Sequence, residues 1–215
     1  MVYLFMAGIK LYDLHETVYS FVLKSLSSGE SSAGIIRSLH SLTDERVSEQ
    51  IPPDEKAVMK CRRGCFHCCR VHVPVLSPEA DVIAEYLRTV LNTDELEKLK
   101  VRLGYIKVNI AGYDDQERIV ANIPCGFLGE EGECIIHSVR PLVCRSVVSA
   151  DDSACYNAMN MSIFEEYAYI PMNLKHKSIY DTAFLALADA LKQSGGDSRS
   201  YEISEALLKR LTINI

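Results

Sequence analysis

No run of eighteen or more apolar residues occurs in this 215-residue chain, so no membrane span is expected. An excess of base is missing too. Lys and Arg number 23 against 29 Asp and Glu, and the resulting formal charge of −6 argues against nucleic acid as a partner. There is no Gly-rich phosphate loop and no Gly-x-Ser-x-Gly elbow, so neither a phosphate cradle nor a serine nucleophile is indicated. The apolar start, residues 1–7, is too short for a secretory core, has no basic residues before it and shows no small-x-small cleavage site. The expectation is a cytoplasmic protein with reduced thiols. No internal repeat is visible. The remainder is ordinary for a globular protein, at 48% hydrophobic and 24% charged residues, and is long enough for one substantial core.

What the chain does have is cysteine, placed unevenly. Four of its eight cysteines fall in nine positions, Cys61-Arg-Arg-Gly-Cys65-Phe-His-Cys68-Cys69. Spacings of two and three residues let one loop turn several thiolates onto one ion, as short zinc knuckles do. The same spacing can seat three corners of an iron-sulfur cluster, with a distant thiolate closing it. Neighbouring side chains of an extended segment point to opposite faces, so Cys68 and Cys69 are expected to serve two different sites, or only one of them binds. Cys125, Cys134, Cys144 and Cys155 follow in a stretch punctuated by Pro124, Gly126, Gly129, Gly132 and Pro141. Such turns wrap a backbone around a point. The two cysteine groups are therefore expected to meet on a shared metal–thiolate core. Inert buried thiols and disulfides are the two bland alternatives.

The rest of the chain reads as helices. Residues 11–26 carry an apolar stripe, residues 27–34 a linker, and Ile35, Ile36, Leu39 and Leu42 a second helix that ends before Pro52-Pro53. Ser77 as N-cap with Pro78 at the first position starts another, and Thr93 a further one that Gly104 closes. Alternation over Tyr105–Ile110 and β-branched residues in Arg118–Leu128 suggest a ribbon leading into Cys125. Asp152-Ser153 caps a helix bearing Cys155, residues 177–193 form a long helix ended by Gly195-Gly196, and Leu207, Leu208 and Leu211 mark the last. The fold class expected is mainly α (small α+β): helices around an irregular cysteine-rich centre with short strands. It is read as a single domain over 1–215, with a helical N-terminal extension (1–50), a cysteine-cluster core (61–160) and C-terminal helices (177–212).

The motifs, taken in order, resemble the cysteine-cluster family of zinc- or iron-chelating domains, of the CxxCxxCC type. Cys61…Cys65-Phe-His-Cys68-Cys69 matches its first group, Pro124-Cys125-Gly126-Phe127-Leu128 its second element, and Cys134-Ile135-Ile136-His137 with Arg140-Pro141-Leu142-Val143-Cys144-Arg145 its third. His137 stands where the family has an aromatic residue, and residues 1–50 lie outside the resemblance. It implies that all eight cysteines, Cys155 included, are metal ligands, with zinc or an iron-sulfur cluster as cofactor. A flagellin lysine methylase has a related cluster, so the resemblance also admits a protein-modifying, methyltransferase-like enzyme.

Two four-thiolate centres would gather negative charge, which Arg62, Arg63, Arg70, Arg140 and Arg145 are placed to offset. His67, His72 and His137 are candidate ligands or structural hydrogen-bonders. His15, His40 and His176 lie far from the motifs and carry no assignment. The pairs Asp114-Asp115, Glu130-Glu131 and Asp151-Asp152 read as solvated turns. The three-and-two cysteine spacing is that of radical enzymes using S-adenosylmethionine, but the chain lacks the strand–helix alternation of their barrel. Three functions follow: a cytoplasmic metal-binding protein, an enzyme using the cluster structurally, or a thiol redox or metal-handling protein. The first matches a sequence that shows ligands and no catalytic constellation.

Overall fold

The stripe beginning at Leu11 forms helix α1 (Leu11–Ser27), which buries Leu14, Val18, Val22 and Ser25 along one side. The computed structural model describes residues 11–62, 64–160 and 169–213; the apolar start at 1–7 and Arg63 lie outside them. Gly29, at φ +72°, turns the chain after α1. Ser31 then caps α2 (Ser32–Gln50), accepting from the Gly34 N–H at 3.2 Å. Pro53 opens the short α3 (Pro53–Ala57).

Helix α4 (Ser77–Val90) begins one residue earlier than expected: Leu76 holds the N-cap position, and Pro78 is the second helical residue. Helix α5 (Thr93–Asn109) runs through Gly104, and the ribbon expected over Tyr105–Ile110 is absent because that segment is helical. Leu99, Leu103, Ile106 and Ile110 are all buried, while Tyr105 and Val108 are exposed. Spacings of four, three and four outweigh the apparent alternation of 106, 108 and 110. The strand expected from Arg118 is also replaced, by the capped helix α6 (Asp115–Val120). A small antiparallel bridge does form, but after Cys125, between Leu128 and Cys134.

Helix α7 (Leu142–Ser146) bears Cys144, α8 (Asp152–Met159) bears Cys155, and α9 (Leu174–Gln193) starts three residues before the expected boundary. Helix α10 (Ile203–Thr212) closes the described chain. The fold is mainly α, with, among the described residues, two two-residue strands, β1 (Pro74–Val75) and β2 (Tyr201–Glu202). They pair antiparallel with Pro74 opposite Glu202 and Val75 opposite Tyr201.

Two apolar clusters organise these elements. In the first, α1 lies along α9, where Ala183, Ala186 and Ala190 permit close approach, and α2 covers α9 and α4. In the second, α10 packs on α4 and α5, and Val73, Val75, Phe127 and Ile136 complete the core. Cys125, Cys134 and Cys144 pack against this second cluster. Among the described residues no helix is long and apolar enough to cross a membrane.

Candidate metal centre

The first cysteine loop is fastened at both ends to the second cysteine region. At its start the Lys60 N–H donates to the Ser149 carbonyl at 2.8 Å, and the Ser149 N–H donates to the Cys61 sulfur at 3.3 Å. At its end the Cys125 N–H donates to the Cys69 carbonyl at 2.7 Å. Ser149 is buried, and its hydroxyl donates to the Asp151 and Pro171 carbonyls, so it anchors the entry to α8 as well.

The second region folds back on itself through a tight turn. Gly129 N–H donates to the Glu133 carbonyl and Ile135 N–H to that of Phe127, which brings Cys125 and Cys134 near each other. Two glycines make this possible. Gly132 has φ +80°, and a Cβ there would meet the Phe66 ring at 2.7 Å; Gly126 rests on α5, where a Cβ would meet Leu103 at 2.6 Å.

Eight free thiols result. Cys61 feels the charges of Cys65, Cys68 and Cys155, and Cys155 those of Cys65 and Cys68. Cys69 feels Cys68, Cys125 and Cys134, while Cys144 feels Cys125, Cys68 and Cys134. Cys61, Cys65 and Cys155 thus form one group of neighbours, and Cys69, Cys125, Cys134 and Cys144 another. Cys68 is within electrostatic reach of both. Among the described residues no three Cys, His, Asp or Glu side chains close into a finished ligand group. The donors are of one chemical kind and lie near one another, short of a formed shell.

Burial disfavours the ionised form of several of these thiols. Burial raises Cys125 to about 12, only partly offset by the Phe127 N–H. Burial also raises Cys144 strongly, and it raises Cys134 against the relief given by the Ile136 N–H and Arg140. Cys61 is exposed as a residue, yet crowding of its sulfur raises it despite the Ser149 N–H. Within the doublet, the thiol of Cys69 donates to Cys68. The donor is raised, and its acceptor falls to about 7. A thiolate needs a cation to stay ionised at such buried positions, and a metal supplies it.

The histidines take structural places. His67 meets Tyr156 edge-on at 5.8 Å, the His72 ring lies 3.1 Å from the Tyr113 carbonyl, and His137 opens a 3-10 turn, His137–Val139. Two of the acidic pairs serve as helix starts: Asp114 caps α6, and Asp151, one residue before the expected cap, caps α8. Glu131 lies in the turn beside Glu133.

Two further residues matter to the site. Glu79 is fully buried and accepts from the Leu76 N–H at 3.0 Å and the Leu142 N–H at 2.8 Å, joining the starts of α4 and α7. Burial raises its carboxyl to about 7. Arg118 is buried beside Cys125 and Glu202, and its Nη1 donates to the Ile123 carbonyl at 2.6 Å. A shallow cleft of about 350 Å³ opens next to it, lined by His72, Asp115, Tyr201 and Glu202. Its polar groups are largely engaged: Tyr201 donates to Asp197, and Glu202 accepts from the Ser204 N–H.

Residues 60–166, about half of the chain, match the family model CxxCxxCC, described as "Putative zinc- or iron-chelating domain", and through this stretch the chain belongs to that family. The described metals agree with the donor set. Neither curated proteins nor solved structures give a match.

Proposed function

We propose that the protein is a metal-binding protein of a reducing compartment. Its outer set (Cys61, Cys65, Cys68, Cys155) and inner set (Cys69, Cys125, Cys134, Cys144) each hold one centre. The observation that supports this reading is the fastening of the first loop to the second region at both ends, which gathers eight free thiols; assigning Cys68 to one set and Cys69 to the other is part of the proposal, since the two sulfurs touch each other in the structure. All-thiol donors suit zinc in a closed tetrahedral site and equally suit an iron-sulfur cluster. The three-and-two spacing of Cys61, Cys65 and Cys68 favours iron-sulfur for the outer set. When bound, the metal keeps the thiolates ionised and ties distant parts of the chain together. His67, His72 and His137 stay outside the ligand set in this reading.

Metal and acid-labile sulfide analysis of anaerobically purified protein tests it. Iron with sulfide and broad visible absorption supports clusters, and colourless protein with stoichiometric zinc supports two zinc sites. Protein carrying neither, with all thiols titratable, rejects the reading. Cys125→Ser and Cys144→Ser are expected to lower metal content and thermal stability together, because each ligand also closes a long loop.

A further inference from the structure

Five arginines flank the cysteines, and the structure distinguishes the four that lie among the described residues. Arg62 donates to the Lys60 carbonyl at 3.1 Å and pairs with Asp152 at 3.4 Å. Arg70 donates to Asn160 at 3.4 Å. Arg145 is held three ways, by the Arg140 and Ser138 carbonyls and by Asp44. Arg140 differs. Its Nε is shut off from solvent and has no hydrogen-bond partner among the described residues. Its backbone is fixed, since its carbonyl accepts from Arg145 Nε at 2.9 Å, so the side chain leaves from a fastened turn. Its charge reaches the sulfurs of Cys68, Cys134 and Cys144, which places the guanidinium beside the cysteines of the second region.

A guanidinium is always charged and acceptor-free, and a sheltered N–H without a partner is costly. Neutral thiols are poor acceptors for it. Thiolates around a divalent ion are good ones, because four of them leave a net charge of about −2 on the centre. Arg140 is thus mismatched to the thiol state of its neighbours and matched to their metal-bound state.

We infer that Arg140 is the counter-charge of the inner centre, its guanidinium offsetting the thiolate charge and its Nε–H donated to a ligand sulfur once metal is bound. This rests on the two-centre reading above. Arg140 is a positioning residue: it holds sulfur, not metal, and it biases the inner set towards the loaded state.

The test compares wild type, Arg140→Met and Arg140→Lys as full chains purified anaerobically. Each is challenged with increasing chelator, and thermal midpoints are recorded before and after stripping. The wild type is expected to retain its inner metal to a chelator concentration roughly 10–100-fold higher than Arg140→Met does, the usual scale for groups that orient metal ligands. Arg140→Lys, which keeps the charge but loses the planar fork, is expected to fall between them. The stripped forms are expected to invert the order, with Arg140→Met at least as stable as wild type, because the mismatched cation is gone. Equal retention in wild type and Arg140→Met overturns the inference, as does equal destabilisation of the loaded and stripped forms. A wild-type chain purified without metal rejects the two-centre reading itself, and this inference with it.

Discussion

Helices α1, α2 and α9 close on one another through aliphatic side chains and Tyr180, whereas α4, α5 and α10 close around a face that includes Cys125, Cys134 and Cys144. Burial of hydrocarbon in the first cluster does not depend on redox state or metal supply. The second cluster contains groups whose charge and bonding change with both. One part of the molecule is thus a fixed scaffold and the other a conditional one, joined where α2 meets α4 and where Glu79 links α4 to α7.

Removing the metal is the harshest way to probe this contrast. Chelation of anaerobically purified protein is expected to cost several kcal/mol, seen as a fall in melting temperature on the order of 10 °C. Proteolysis should then cut within 58–73 and 122–160 while the far-UV helical signal persists. If that signal collapses on chelation, the scaffold is not independent and the contrast fails.

Core truncations sharpen it further. Leu187→Ala in the first cluster and Phe127→Ala in the second, both fully buried, are each expected to cost about 2–5 kcal/mol in denaturant unfolding. Only Phe127→Ala should also release metal, since Phe127 stands two residues from Cys125 and its N–H supports that sulfur. Metal loss of the same size in Leu187→Ala would merge the two regions into one.

Acidity separates the junction between them. Burial raises Glu79 to about 7 from an ordinary 4.5, so between these values the folded chain keeps a proton that the unfolded chain has lost. Its contribution is therefore greatest below pH 4.5, declines as pH rises to 7 and is flat above. His40 runs the other way: burial lowers it to about 4 from 6.5, and stability is lost as pH falls through that window. In Glu79→Gln the Glu79 contribution is gone while those of His40, His176 and Glu202 remain. The variant's deficit relative to wild type should grow as pH drops from 7 to 4.5, by at most about 1.4 kcal/mol per unit. Parallel stability–pH curves for the two proteins would show that Glu79 does not titrate in this range.

The smallest effect belongs to the cap of α8. Asp151→Ala removes the carboxylate that accepts from the Ala154 N–H at 3.0 Å, at a cost of about 1 kcal/mol. Because α8 carries Cys155, one metal equivalent should leave faster under chelation while the other is retained. Simultaneous loss of both would merge the two cysteine sets.

Helices with strong periodicity and sound caps were legible from residues alone: α1, α2, α9 and α10 lie within a few residues of where their stripes place them. The middle was harder. Ile106, Val108 and Ile110 satisfy a two-residue period by accident, while the four-three-four spacing of 99, 103, 106 and 110 marks the row that is buried. Gly104 lies inside helix α5, on the side that faces α10, where an added Cβ would meet Leu208 at 3.9 Å, so tertiary packing overrode its tendency to end a helix. The cysteines announced a site by their spacing. Ser149 and the link that Glu79 makes between α4 and α7 did not, because their roles arise from partners 60 to 90 residues away in the chain; Arg140 was placed with four other arginines to offset thiolate charge, and only its orphaned Nε sets it apart.

The pairing of α1 with α9 also sets a timetable. The first helix is made about 160 residues before the one that covers it. At 5–20 residues per second its apolar face waits roughly 10–30 s on the ribosome. Every cysteine is synthesised inside that interval, since Cys155 precedes Leu174. The thiols therefore leave the ribosome before their scaffold is complete, and metal delivered early meets an open chain, whereas metal delivered late meets the gathered set.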